Sequence, residues 1–423
     1  MDQNDNFSPD GRFLCYDTRE MVGEGIGNGQ SIEKVEIATG IETILYKAEK
    51  SVIGEKPAPG VGAVTFSFVE NKVAFIHGPL LEEVSERGHY DKPNRKGAVI
   101  AADGGGKLGW LDFRDVSTDR PTTPGAHRGG THRHEFCRSD HRVGFTYDDF
   151  LCPQFDRTIG YMERRNDAPG GASHWFALLI RPAEKEKAKP GEIEKAYGDS
   201  WVDPEGTMRA FIGKVRNADG VTYEESLFVV DVPQTVDITT AKAGNGTDYP
   251  TPPKGLTVRR LTHSKAEGVV RGSHQGDRVA YFAYAPNGTK QIFVVRADGS
   301  DQDPDPAKRP VQVTHFDGGA SGNLRWHPSG NAIICTADNA IAVTVAKPGP
   351  SFGRSVLITG SEGPERVKLV VSHDGTLVAY NKAVPTFDGQ GNRAKDYLDR
   401  DFLQVFTVPY PDSDGDGIPD GIS

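Results

Sequence analysis

FCRSDHRVGFTYDD, residues Phe136–Asp149, decides the fold. A polar turn (CRSDH) is followed by RVGFTY, which has the β-branched and aromatic character of a half-buried strand. The same unit recurs along the chain. Its clearest relatives are FSPDGRFLCYD at Phe7–Asp17, WVDPEGTMRAFIG at Trp201–Gly213 and SHQGDRVAYFAY at Ser273–Tyr284. WHPSGNAIICTADN starts at Trp326, VSHDGTLVAYN at Val371, and a degenerate copy, FSFVENKVAFIHG, at Phe66. These units recur at intervals of roughly 45 to 70 residues, the range in which repeats signal solenoids or propellers. Where Asp or Pro leads into Gly, as in SPDG, the turn is fixed because glycine accepts a positive φ without strain.

Most units continue into a further strand pair, such as KQIFVVRADGS (Lys290–Ser300) before VQVTH (Val311–His315). Four strands per unit, repeated seven times, predict an all-β seven-bladed β-propeller over residues 1–410. Two stacked sandwiches would explain the strands but not the single repeated turn. Composition agrees: 50 glycines and 28 prolines in 423 residues exceed the usual ~12% and disfavour helix interiors. AADGGGKLG at Ala101–Gly109 reads as an inter-strand loop, and Arg181–Glu194 as an exposed loop or short helix. Four cysteines, Cys15, Cys137, Cys152 and Cys335, lie far apart and do not form a disulfide framework.

With 49 Lys and Arg against 59 Asp and Glu, the net charge is −10. That balance argues against nucleic-acid and membrane-surface partners. No apolar run approaches the ~18–20 residues of a membrane span. The opening MDQNDNFSPDG is polar and does not read as a signal peptide, which says little about destination. The tail, PDSDGDGIPDG, puts Asp412, Asp414, Asp416 and Asp420 at positions 1, 3, 5 and 9 of a calcium-loop spacing, with Gly417 at the turn position. Residues 411–423 therefore read as the start of a thrombospondin type 3-like calcium-binding linker, or as a flexible acidic one. The calcium reading favours a secreted, multi-modular parent.

A propeller sorts the remaining polar residues by rim. The innermost strand of each blade enters at one rim, and the second strand returns to it, so candidate site residues sit at strand starts and second-strand ends. His132 and His134 in GGTHRHEF stand two apart and are expected on one face. FTYDDF brings Tyr147 and Asp149 to that rim, and VAFIHGPL brings His77, with His89 and Arg95 behind it. Blade four adds Tyr197, Lys214 and Arg216, blade five Arg271, and blade one Arg19. His141, His274, His327 and His373 fall in the opposite turns, and His263 and His315 close outer strands.

Histidine, tyrosine and arginine on one funnel suit proton abstraction beside a carboxylate. Arginine grips the carboxylate, and His or Tyr supplies base and acid. The same His-x-His pair would also serve a metal, or pack as rim hydrogen-bonders. Neither a GxSxG elbow nor a Walker loop is present.

GGTHRHEFCRSDHRVGFTYDDFL…RTIGYM, VAFIHGPL and RRLTH…GVVRG…RVAYFA resemble the seven-bladed propeller polysaccharide lyases. The similarity is nearest to the ulvan lyases of polysaccharide lyase families 24 and 25, with oligogalacturonate lyases more distant, and extends over about Phe7 to Pro409. The resemblance implies β-elimination on ulvan, a sulfated rhamnose–uronate glycan, leaving 4,5-unsaturated uronyl ends. It assigns catalysis to His132 and His134, with Tyr197 and Arg216 chosen by rim position. His77, His89, Arg95, Tyr147, Lys214 and Arg271 are the expected substrate binders. Some relatives carry a histidine where this chain has Phe150. The chemistry then needs no cofactor, though relatives can carry a structural divalent metal, Zn2+ or Ca2+, in the propeller. The expected partner is an anionic sulfated polysaccharide met by a secreted monomer. The alternatives are a pectic, oligogalacturonate-type lyase and a non-catalytic propeller that binds glycan or protein.

Overall fold

A computed structural model describes residues 5–19, 25–396 and 399–422. Among the described residues seven antiparallel blade sheets stand around one axis, with a separate two-stranded hairpin, Thr386–Phe387 and Arg393–Ala394, between the last two strands of blade seven. Blade three is representative: Gly130–Phe136 innermost, then Arg142–Asp148, Thr158–Arg164 and His174–Leu178 at the periphery. Blades two, four, five and six are likewise four-stranded and begin at Val61, Ile193, Glu267 and Ser321. Blade one pairs Phe13–Asp17, Ser31–Glu36 and Glu42–Lys47, with its innermost position marked by the Phe7–Leu14 bridge. Blade seven has three strands, Val367–Val371, Leu377–Ala383 and Leu403–Pro409.

The ring is held by side chains packed between neighbouring blades. Seven apolar clusters are found, one at each blade-to-blade interface. Strand alternation explains this: period-two side chains present one apolar row to each neighbour. The closing interface is the thinnest. Among the described residues only Phe7 and Leu14 of blade one and Val370 and Ala379 of blade seven form the buried cluster there, and no strand is exchanged between the two blades.

The repeated turn is the hinge between first and second strands. Gly11, Gly206, Gly276, Gly330 and Gly375 all adopt φ between 67° and 79°. In blade three, which lacks the glycine, Asp140 takes the position at φ 64°; aspartate tolerates this region better than most residues.

A second repeated device was not expected. In blades two to seven the innermost strand is bulged near its start. The residue at the bulge has positive φ each time: Ala63, Arg133, Gly198, Gly268, Gly322 and Lys368. A bulge inserts extra backbone into one strand and resets which face later side chains occupy.

The Gly-rich run after Ala101 is an inter-strand loop, as expected. Arg181–Glu194 forms turns, and its last two residues open the innermost strand of blade four. All four cysteines are buried and free. No described helix is long and apolar enough to cross a membrane. The tail docks on blade six: Tyr410 stacks on His327 with centroids 4.4 Å apart, and Asn331 Nδ2 donates to Asp416 O at 2.8 Å. Ser423 lies outside the described residues.

Candidate functional site

His132 enters blade three at the upper rim, and Asp148 ends the adjacent strand beside it. Gly130 pairs with Asp148, and His132 with Thr146. Paired and i, i+2 residues share a face, so His132 and Asp148 lie together. His132 Nε2 is 3.5 Å from Asp148 Oδ2. Arg157, from the loop before the next strand, clamps Asp148 through Nε at 3.2 Å and Nη2 at 2.9 Å. Arg95 Nη2 approaches the same carboxylate at 3.6 Å, while its Nη1 donates to Tyr90 Oη at 3.0 Å. Tyr90, Arg95, Asp148, Arg157 and His132 thus form one connected polar chain.

Its electrostatics keep His132 neutral. Burial, helped by the Arg95 and Arg157 guanidiniums, holds its pKa well below the usual histidine range, against the opposing pull of Asp148. Burial would raise the Asp148 carboxyl, but His132 and Arg157 outweigh it and hold that group well below the usual carboxylate range. His132 Nε2 is buried beside that carboxylate without a hydrogen bond, while the side chain as a whole is 14% exposed; a neutral imidazole so placed can accept a proton.

The expected pairing of His132 with His134 on one face is corrected. Arg133 sits at φ 55° in the bulge between them, so His134 turns to the blade-two side. There its Nε2 lies 3.1 Å from Thr131 Oγ1, whose hydroxyl donates to Asp112 Oδ2 at 2.5 Å. His127 Nε2 is 3.5 Å from the same carboxylate. His134 is fully buried, and burial brings its pKa down to about 4. A side chain at Gly97 would meet its Nε2 at 2.8 Å.

Tyr147 is also corrected: it is sealed in the blade two–three core, donating to Asp149 Oδ2 at 3.0 Å. Neighbouring strand residues face opposite ways, so Asp148 takes the rim position that Tyr147 and Asp149 were expected to hold. Asp149 pairs instead with buried Arg128, Nε to Oδ2 at 3.0 Å.

His77 packs between blades one and two, with Nε2 2.7 Å from Tyr46 Oη, and burial drives its pKa to about 4. His89 is half-buried in the loop that carries Arg95, and its carbonyl accepts from Asn94. Arg19 pairs with Asp17.

Tyr197 is on the strand beside Arg157, since Ala196 N donates to Arg157 O at 3.0 Å. Its ring, however, packs toward the blade four–five core, and its hydroxyl donates to Glu225 Oε1 at 2.5 Å. Burial and Glu225 raise its pKa, so it is a held donor rather than a base.

Arg216 is saturated by carbonyls of Glu186, Ala188 and Val221 and lies 4.0 Å over Tyr223. Lys214 binds Glu194 Oε1 at 2.8 Å. Arg271 is displaced furthest: it lines the opposite mouth, among the turn residues Arg138, Ser273 and His274. It is the penultimate residue of the strand Glu267–Gly272, so it stands at the turn end of that strand rather than at its entry.

The residues missed from sequence are Tyr90, Asp148 and Arg157. Arg157 opens the RTIGYM segment, and Asp148 lies inside TYDD, so both were within quoted motifs. A buried ion network also escaped notice: Arg209 donates to Asp199 at 2.7 Å and Glu135 at 3.0 Å, tying blades three and four. In the tail, Asp412, Asp414 and Asp416 bring carboxylate oxygens within 4.8 Å of one another. Asp420 is turned to Ser413 N and Oγ.

Residues 60–168, blades two and three with the core of this polar chain, match a family described as protein of unknown function (DUF3748). A prolyl endopeptidase structure aligns with 97% of this chain at 12% identity and TM-score 0.51; the chain spans half of that protein's length. An oligogalacturonate lyase from Vibrio parahaemolyticus aligns with 82% of the chain and 89% of its own, at 13% identity and TM-score 0.46. The prolyl endopeptidase likeness shows the propeller fold alone. Sequence goes further: the uncharacterized protein YidR of Escherichia coli (strain K12) is 31% identical over 404 residues, covering 88% of this chain and 90% of YidR. A match of that depth along nearly the whole of both chains is one of common family, and the chain belongs to the family of YidR.

Proposed function

We propose that the protein is a lyase that cleaves a uronate-containing oligosaccharide by β-elimination at the upper mouth of the propeller. The observation that carries the reading is the chain from Tyr90 through Arg95 and Asp148 to His132, flanked by Arg157. The uronate carboxylate docks against Arg95 and Arg157, which acidifies the proton at C5. His132 takes that proton, and the C5–H electron pair becomes the C4=C5 double bond as the C4–O4 bond breaks. Asp148 stabilises the imidazolium that forms. Tyr90 accepts its hydrogen bond from Arg95, so its own proton is free to pass to the leaving O4.

The substrate is an unsulfated uronate chain of the oligogalacturonate type rather than ulvan. A sulfated glycan needs further cations along the groove beyond Arg95 and Arg157, whereas Arg271 lies at the opposite mouth. Incubation with oligogalacturonate and, separately, ulvan, following ultraviolet absorbance of the conjugated uronate, tests both parts. Absorbance rising with neither glycan removes the lyase reading, and a rise with ulvan alone removes the substrate assignment.

The tail supports a second, independent reading as a calcium loop. Gly417 N donates to Asp412 Oδ2 at 2.7 Å, which folds Asp412, Asp414 and Asp416 into one oxygen-lined turn. Calorimetric titration with Ca2+ and Mg2+ tests it: binding of Ca2+ that is lost in Asp414→Asn is expected, and no heat with either ion overturns it.

A further inference from the structure

The seam between blades seven and one differs from the other six. Blade seven stops at its third strand, Leu403–Pro409, which pairs along its full length with Leu377–Ala383. Tyr410 N donates to Thr376 O, which fixes the alternation of this antiparallel pair. Leu403, Val405 and Thr407 therefore fall in the pairs that are not hydrogen-bonded, and their N–H and C=O groups point outward. Among the described residues no backbone hydrogen bond reaches that outer edge.

A cleft of roughly 540 Å³ lies between blade seven and blade one, beside that open edge. Leu14, Val35, Leu403 and Val405 give it an apolar floor. Its rim is acidic: Glu33, Glu36, Glu42, Asp396 and Asp401 line it, and among the described residues Arg19, which pairs with Asp17, is the one basic lining residue. Glu33 and Glu42 converge on the hydroxyl of Tyr16, at 3.0 and 2.7 Å. Natural sheet edges are commonly blunted by lysines or prolines; LQVFTVP carries neither before its last residue.

We propose that this seam is a docking site for a basic, extended segment of a partner protein, which adds to blade seven as its fourth strand. The three features select the occupant together. The open edge takes main-chain hydrogen bonds, and on the face turned to blade one the carboxylates of Glu33, Glu36 and Glu42 take lysine or arginine at every second position, whose aliphatic stems cover the apolar floor. The site is on the outer wall of the ring, so it works independently of the groove at His132.

The probe is a labelled, end-capped octapeptide of alternating lysine and valine, compared with its glutamate–valine counterpart on the full chain by fluorescence anisotropy. The basic peptide is expected to bind at least about tenfold more tightly and to slow amide exchange at Leu403, Val405 and Thr407. The double variant Glu33→Lys, Glu42→Lys, changed only at the rim, loses that preference while its unfolding midpoint stays put. Equal binding of both peptides overturns the proposal, as does binding with unaltered exchange over residues 403–409. A dimer that protects those amides without peptide also overturns it, since a second copy would then be the occupant.

Discussion

His132 and His134 stand two residues apart yet face opposite sides of blade three, because Arg133 between them holds a left-handed backbone at φ 55°. One histidine is thereby delivered to a solvent-facing carboxylate and the other to a sealed pocket. The two substitutions should separate accordingly. His132→Ala is expected to lower turnover by at least about a hundredfold, in the range of lost general-base catalysis, with little change in the urea midpoint. His134→Ala should cost about 1–3 kcal/mol of stability, measured by urea unfolding, as befits a buried polar group lost from its network.

Stability should fall on acidification between pH 6.5 and about 4. His77 and His134 have folded pKa values lowered by burial to about 4 from an ordinary 6.5. In that window the unfolded chain binds protons that the folded chain does not, so stability is complete above pH 6.5 and lost as pH drops toward 4. The slope is up to about 1.4 kcal/mol per pH unit for each histidine. Urea midpoints measured across this range should show a shallower slope in His77→Gln than in the parent; an unchanged slope would contradict the assignment.

Arg209 should matter more than any rim arginine for folding. It is fully buried and donates to Asp199 on its own blade and Glu135 on the neighbouring one. Arg209→Ala removes the nearest cation of two buried carboxylates, leaving Arg133 3.6 Å from Asp199 and Arg271 3.7 Å from Glu135, and breaking a buried pair costs about 3–5 kcal/mol. Chemical denaturation should register that loss. A midpoint shift no larger than that of Arg216→Ala would contradict it.

The bulged strands give a stabilising substitution. Ala63 occupies the left-handed position that glycine fills in blades four, five and six. Such a conformation costs a non-glycine residue roughly 1–2 kcal/mol, offset in part by the greater chain entropy of glycine. Ala63→Gly is therefore expected to raise stability by up to about 1 kcal/mol in urea unfolding. A loss of stability would show that the strain is absent.

The ring of blades was legible because its hinge needs glycine: SPDG, DPEG, HPSG and SHDG all mark the same turn, and Gly11, Gly206, Gly330 and Gly375 hold it. The bulges were half visible. Gly198, Gly268 and Gly322 recur near the starts of three innermost strands, but Ala63, Arg133 and Lys368 take the same conformation without that signature. The face assigned by strict alternation therefore failed for His134, just past the bulge, whereas Arg271 lies at the other rim because it is next to last in its strand, beside the turn. Tyr147 failed for a simpler reason: Asp148, its neighbour, has the opposite face. Tyr90 and Arg157 were not legible as partners of His132, because loops from different parts of the chain deliver them and only the folded ring brings them together.

The decisive measurement is the ultraviolet absorbance of oligogalacturonate incubated with the parent protein and with His132→Ala at neutral pH. A steady rise from the parent, reduced at least about a hundredfold in the variant, is expected. No rise from the parent, or equal rates from both proteins, would contradict a β-elimination site built on His132, Asp148, Arg95 and Arg157.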